Sequence, residues 1–209
     1  MPILSLILFI IAGSGTPGPN NTIVLASGAA FGFRRTLPAV AGINTGFPLM
    51  IVVVGLGLGG LLAQWPWVLD ALRPVGAAYL LWLAWKIATG PTDLKARREG
   101  RPPGVLQMAF FQLVNPKAWT LAIAALTAYT GFWSSFLAEV LTIAAVAAAV
   151  GLPCTLTWVM LGVGAGRFLS TPRQLRIFNL VMAALLVVSL LPVLAEILDS
   201  ILPLLDQSG

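Results

Sequence analysis

Gly15-Thr16-Pro17-Gly18-Pro19-Asn20-Asn21 interrupts an apolar run that otherwise reaches from Ile3 to Ala26. Two prolines two residues apart cannot sit in an unbroken helix, because each lacks a donor and crowds the carbonyl four residues back. Gly15 and Gly18 supply the freedom a break needs. Thr16 before Pro17 reads as an N-cap and a first-turn proline, so a second half-helix is predicted to start there. Asn115-Pro116-Lys117 repeats the pattern inside a later apolar segment. In a bilayer, irregular backbone is tolerated at depth only where protein buries it or where it lines a cavity. The two breaks are therefore the predicted site.

Composition sets the class. The chain has 209 residues, 58% of them hydrophobic and 9% charged, and its mean hydropathy is +0.95. That is the composition of a membrane protein. The net charge of +5 sits mostly in short loops between apolar runs, which points to membrane orientation and not to nucleic acid. One cysteine, Cys154, and no histidine leave no disulfide framework and no His/Cys metal cluster. No metal and no cofactor are expected. The apolar start ending at Ala12-Gly13-Ser14 lacks the positive region of a signal peptide and reads as a mature helix.

A bilayer span needs about 20 apolar residues. On that criterion the chain is an all-α integral membrane protein with six transmembrane helices, over 3–27, 37–63, 72–89, 105–129, 136–163 and 176–198. Ten of the twelve basic residues fall in alternate loops, at Arg34 and Arg35, from Lys86 to Arg101, and from Arg167 to Arg176. The positive-inside rule makes those loops cytoplasmic and puts both termini outside. Trp65, Trp67 and Trp133 belong to the outer interface and Trp82 and Trp85 to the inner one.

Residues 90–104 form the one linker within a single transporter domain spanning 1–209. It separates a three-helix half, 1–89, from a second, 105–209. Three spans per half is an odd number, so the halves enter the membrane in opposite senses. Each half has a proline break in its first helix, and paired interruptions of this kind mark transporter binding sites. The second half-helices would start near mid-membrane, and such amino ends attract anions.

Four stretches resemble the LysE/RhtB family of amino-acid exporters. They are Gly15-Thr16-Pro17-Gly18-Pro19-Asn20, Gly42-Ile43-Asn44-Thr45-Gly46, the tract from Gly76-Ala77-Ala78-Tyr79 to Trp85-Lys86, and Phe111-Gln112-Leu113-Val114-Asn115-Pro116-Lys117-Ala118. Gly162 to Arg167 and Asn179 fit as well. The resemblance implies an inner-membrane exporter of amino acids or related small metabolites, driven by proton or ion exchange. Many members carry an acidic residue just after the second glycine of the second stretch, but here Gly46 precedes Phe47, Pro48, Leu49 and Met50. That departure argues against a basic substrate and against a carboxylate proton carrier. The Pro-Gln pair common in relatives is also missing from Leu126 to Thr130.

The candidate substrate-binding residues are Thr16, Pro17, Gly18, Pro19, Asn20, Asn21, Asn115, Pro116 and Lys117. Lys117 is a charge inside a span, and such charges face a cavity or a partner; its long stem could instead snorkel to water. Asn115 reads first as a cap. Asn44 and Thr45 read as helix–helix hydrogen-bonding groups, Glu139 as interfacial, and Pro153 as a kink. Gly55, Gly57, Gly59 and Gly60, like Gly162, Gly164 and Gly166, read as faces for close packing. No catalytic set is present, which disfavours a membrane-embedded enzyme. A non-transporting scaffold leaves two matched breaks unexplained. The expected partners are a small-molecule substrate and the lipid bilayer, with self-association left open.

Overall fold

The computed structural model describes residues 1–58, 66–92, 100–195 and 197–198, with backbone only at 58 and 66–73. The side chains of Trp65 and Trp67, the linker core at 93–99, Gly59 and Gly60 lie outside that description. Every regular element described is a helix. In chain order these are α1 (Ile3–Gly15), α2 (Pro19–Phe31), α3 (Phe33–Val53, continued by a π turn at Val54–Leu58), α4 (Pro66–Ala88), α5 (Val105–Val114), α6 (Pro116–Tyr129), α7 (Phe136–Phe168) and α8 (Pro172–Val188). The order is thus a broken pair, a long helix and a third helix, and then the same again.

Prolines and glycines punctuate the chain. α1 and α2 meet at 57° across three residues. Gly32, at φ +77°, ends α2 and starts α3 at once; only glycine adopts that conformation cheaply. The π turn holds a second such glycine, Gly57, at φ +139°. α8 starts on a capping box, with the Thr171 hydroxyl accepting from the Gln174 N–H and the Gln174 side chain returning the bond.

Two helices, Phe33–Gly57 and Phe136–Phe168, are long and apolar enough to cross a membrane, and the bent pair α1–α2 makes a third. α5 and the last turns of α4 form shorter apolar helices. Leu4, Leu8, Leu106, Phe110 and Phe168 are exposed. They give α1, α5 and the end of α7 apolar outer faces of the kind lipid covers.

The packing is reciprocal. α1 and α2 lie against α7, α5 and α6 lie against α3, α3 meets α7, and α4 meets α8. Glycines let the backbones approach. A Cβ on Gly28 would meet the Val159 carbonyl at 2.5 Å, and one on Gly166 the Ala29 carbonyl at 2.7 Å. One added on Gly46 would meet Ala109 Cα at 2.6 Å and one on Gly76 the Val114 carbonyl at 2.5 Å. Gly162 and Gly55 serve the same close packing, whereas a Cβ on Gly164 would meet nothing within 4 Å among the described residues of other elements. Without a hydrophobic force between helices in lipid, such close contact is what holds a bundle together. The main core runs through Val24, Val40, Leu80, Met108, Val159 and Leu186, so it draws on both halves of the chain.

Glu139 sits at the start of α7 and holds the turn before it. It is 1% exposed and accepts from the N–H groups of Gly131 (2.8 Å), Phe132 (2.6 Å) and Trp133 (2.7 Å). Thr45 differs from its expected helix–helix role: its hydroxyl donates within its own helix, to the Ala41 carbonyl at 2.9 Å.

Candidate functional site

The first break begins where Thr16 leaves α1 in an extended conformation, as a residue before proline must. α2 starts two residues later than its sequence suggests, with Gly18 at the N-cap position and Pro19 in the first turn. Thr16 therefore caps the end of α1 and not the start of α2; its hydroxyl donates to the Gly13 carbonyl at 3.1 Å. Asn21 sends its amide to the carbonyls of Ser14 (2.7 Å) and Thr16 (2.8 Å).

Lys117 completes this end from a hundred residues away. Its Nζ donates to the Thr16 carbonyl (3.0 Å), the Thr16 hydroxyl (2.8 Å) and the Pro17 carbonyl (3.0 Å). An ammonium has three donors, and all three are placed. A cation at a helix carboxyl end also offsets the dipole. The side chain thus does not snorkel away; it finds a partner and spans the two breaks. Gly18 makes room for it, since a Cβ there would stand 2.8 Å from Lys117 Cδ.

The second break is a single extended residue, Asn115, with Pro116 as the first residue of α6. Asn115 occupies the N-cap position, yet its side chain makes no capping bond. Its Oδ1 is buried without a hydrogen-bond partner, and the residue is 2% exposed. Buried acceptors without partners are rare, because desolvation costs about 1–3 kcal/mol. The indole of Trp119 donates to the Leu113 carbonyl at 2.8 Å and so satisfies the end of α5.

An amide pair joins the breaks a second time. Asn20 Nδ2 donates to Gln112 Oε1 at 2.9 Å, and Gln112 Nε2 donates to Asn20 Oδ1 at 3.1 Å. Gln112 Nε2 is held by the Met108 carbonyl as well, at 2.8 Å, and the residue is fully buried.

Between these links lies a cavity of about 50 Å³. Of the residues expected at the site, Gly18, Pro19, Asn20, Asn21, Asn115 and Lys117 line it. Thr16 and Pro17 stand behind Lys117 as its hydrogen-bond acceptors, and Pro116 acts through the backbone it sets. The sequence reading missed Gln112 and the far wall of Asn44, Phe47, Ala147 and Gly151. Asn44 carried a signal, being polar in mid-span beside Pro48. Gln112 carried a weaker one, three residues before Asn115. Gly151 carried none.

Residues 11–191 match the family described as LysE type translocator. Among similar proteins are the cysteine/O-acetylserine efflux proteins of Salmonella paratyphi A and Salmonella typhimurium. Both are 37% identical over 175 residues, covering 82% of this chain and 87% of each relative. The protein of the same description from Escherichia coli K12 is 34% identical over 174 residues, at the same coverage. No solved structure matches the chain. The chain belongs to the LysE type translocator family. It is a membrane transport protein and not an enzyme.

Proposed function

From that membership we propose that the protein exports small neutral amino acids or close derivatives across the cytoplasmic membrane, and that the cavity between the two breaks is where they bind. One observation carries the reading. Lys117 and the Asn20–Gln112 pair bring two interruptions a hundred residues apart onto one cavity. Irregular backbone at such a place is the recurrent substrate site of secondary transporters. The relatives' efflux of cysteine and O-acetylserine supports a small substrate. Among the described residues no carboxylate lines the cavity, which supports a neutral substrate over a basic one.

In this reading Asn20, Asn21, Asn115 and Lys117 form the polar wall, while Thr16, Pro17, Gly18, Pro19 and Pro116 set the backbone around them. Transport is driven by exchange with protons or another ion. The six-span arrangement, with inverted halves 1–89 and 105–209 joined by a cytoplasmic linker at 90–104, is part of the same proposal. Its support is the reciprocal packing, in which each broken helix lies on the other half's long helix. The two long helices, α3 and α7, also meet each other, as do the two third helices, α4 and α8. Arg35, which donates to the Gly100 carbonyl at 2.9 Å, supports placing the first basic loop and the linker on one face, with both termini on the other.

The function is tested by efflux of labelled L-alanine and O-acetyl-L-serine from vesicles holding the purified protein. Concentration-dependent efflux above empty vesicles is expected; its absence for every amino acid tried contradicts the proposal. In a Cys154→Ser background, an introduced cysteine at position 68 should react with an impermeant thiol reagent in intact cells and one at position 97 should not. The reverse pattern overturns the orientation.

A further inference from the structure

The two breaks leave groups of opposite polarity without partners beside the cavity. At the first, the carbonyl end of α1 is filled by Lys117 and Asn21. What stays open is the start of α2, a helix of 13 residues with no side-chain cap. Pro19 has no N–H, so the backbone N–H groups of Asn20 and Asn21 are the first-turn donors left without an intrahelical partner. At the second break the unpartnered group is an acceptor, Asn115 Oδ1, buried within a residue that lines the cavity. Donors and a helix amino end at one place, with an orphan acceptor at another, complement a molecule carrying a carboxylate and an ammonium.

Resting on the function proposed above, we propose that Asn115 Oδ1 receives the α-ammonium of the substrate, that the amino end of α2 receives its carboxylate, and that Gly151 sets the room for its side chain. The third part follows from the far wall. A Cβ on Gly151 would find a single neighbour within 4 Å, Asn44 Oδ1, at the ordinary contact distance of 3.7 Å. The space in front of this glycine is therefore cavity and not packed protein. The 50 Å³ available corresponds to about three or four waters, the scale of a small α-amino acid. The substrate class is a small zwitterion with a free primary ammonium and an uncharged side chain.

The full-length protein in vesicles tests this with three probes: L-alanine, N-acetyl-L-alanine, which lacks the ammonium, and the longer O-acetyl-L-serine. Asn115→Leu should raise the apparent KM for L-alanine about ten- to a hundredfold, whereas Asn115→Asp, still an acceptor, should raise it less. The parent protein should export L-alanine and leave N-acetyl-L-alanine inside. Gly151→Ala is compatible with its helix, since alanine is the better helix former. It should lower export of O-acetyl-L-serine relative to L-alanine by about tenfold. An Asn115→Asp protein as impaired as Asn115→Leu overturns the assignment, because it marks Asn115 as a donor to a carboxylate. Equal export of N-acetyl-L-alanine overturns it without any variant, so the test survives poor insertion of Asn115→Leu. An unchanged ratio in Gly151→Ala removes the side-chain part. Each of these failures leaves L-alanine export by the parent intact; loss of that export too strikes the function itself.

Discussion

The two breaks look alike in sequence, each a polar residue before a proline in an apolar run, but they are built differently. The first is three residues wide and heavily tied. Thr16 alone takes bonds from Asn21 and Lys117 on its carbonyl and from Lys117 on its hydroxyl. The second is one residue wide, and its only polar side-chain group of note, Asn115 Oδ1, is left without a partner. Width and ties go together. A three-residue gap exposes more carbonyls than a one-residue gap, and buried carbonyls need donors. The lesson is a division of labour, in which the first break is braced by the second and the second keeps a polar group in reserve.

The largest expected effect comes from closing the wide break. Replacing Pro17 and Pro19 together with alanine lets α1 and α2 join, which removes the carbonyls that Lys117 and Asn21 hold. Efflux should fall to the level of empty vesicles while the protein still inserts; normal efflux would mean that the bend is only a kink. Next is the brace itself. Lys117→Met removes three charge-assisted bonds and should lower thermal stability by about 1.5–3 kcal/mol, with Lys117→Arg recovering part of it because the planar fork needs more room. A melting curve unchanged in Lys117→Met would detach this lysine from the first break.

Gln112→Leu, which strands the Asn20 amide, should cost about 1–3 kcal/mol in the same melt; a neutral result would show that the amide finds another partner. The smallest effect is expected at the narrow break. Pro116 occupies a first-turn position where its missing N–H is no loss, so Pro116→Ala should change stability by about 0.4–1 kcal/mol. A collapse as deep as that of the Pro17/Pro19 variant would erase the contrast between the breaks.

Both breaks were legible in the sequence because proline acts on its own turn, through a missing donor and a clash that need no tertiary context. The order of helices was legible for the same reason, and the motif set pointed to the family. The reach of Lys117 was not legible. Its partners, Thr16 and Pro17, lie a hundred residues away, and nothing local distinguishes a lysine that snorkels from one that crosses to another helix. Asn115 misled because the N-cap position and the capping bond usually coincide, whereas here the extended backbone comes from the following proline. Gln112 gave only a weak signal and Gly151 none: one became a partner of Asn20 and the other a cavity wall through the packing of α5 and α7.

The central claim is that the space between the breaks holds the substrate. In a Cys154→Ser background that retains efflux, Ala147→Cys places a single thiol in the cavity wall. The measurement is its rate of modification by a small thiol reagent as O-acetyl-L-serine is added. Protection that rises with substrate and saturates near the KM for efflux is the predicted result. A rate that stays constant while the same vesicles export O-acetyl-L-serine would contradict the account.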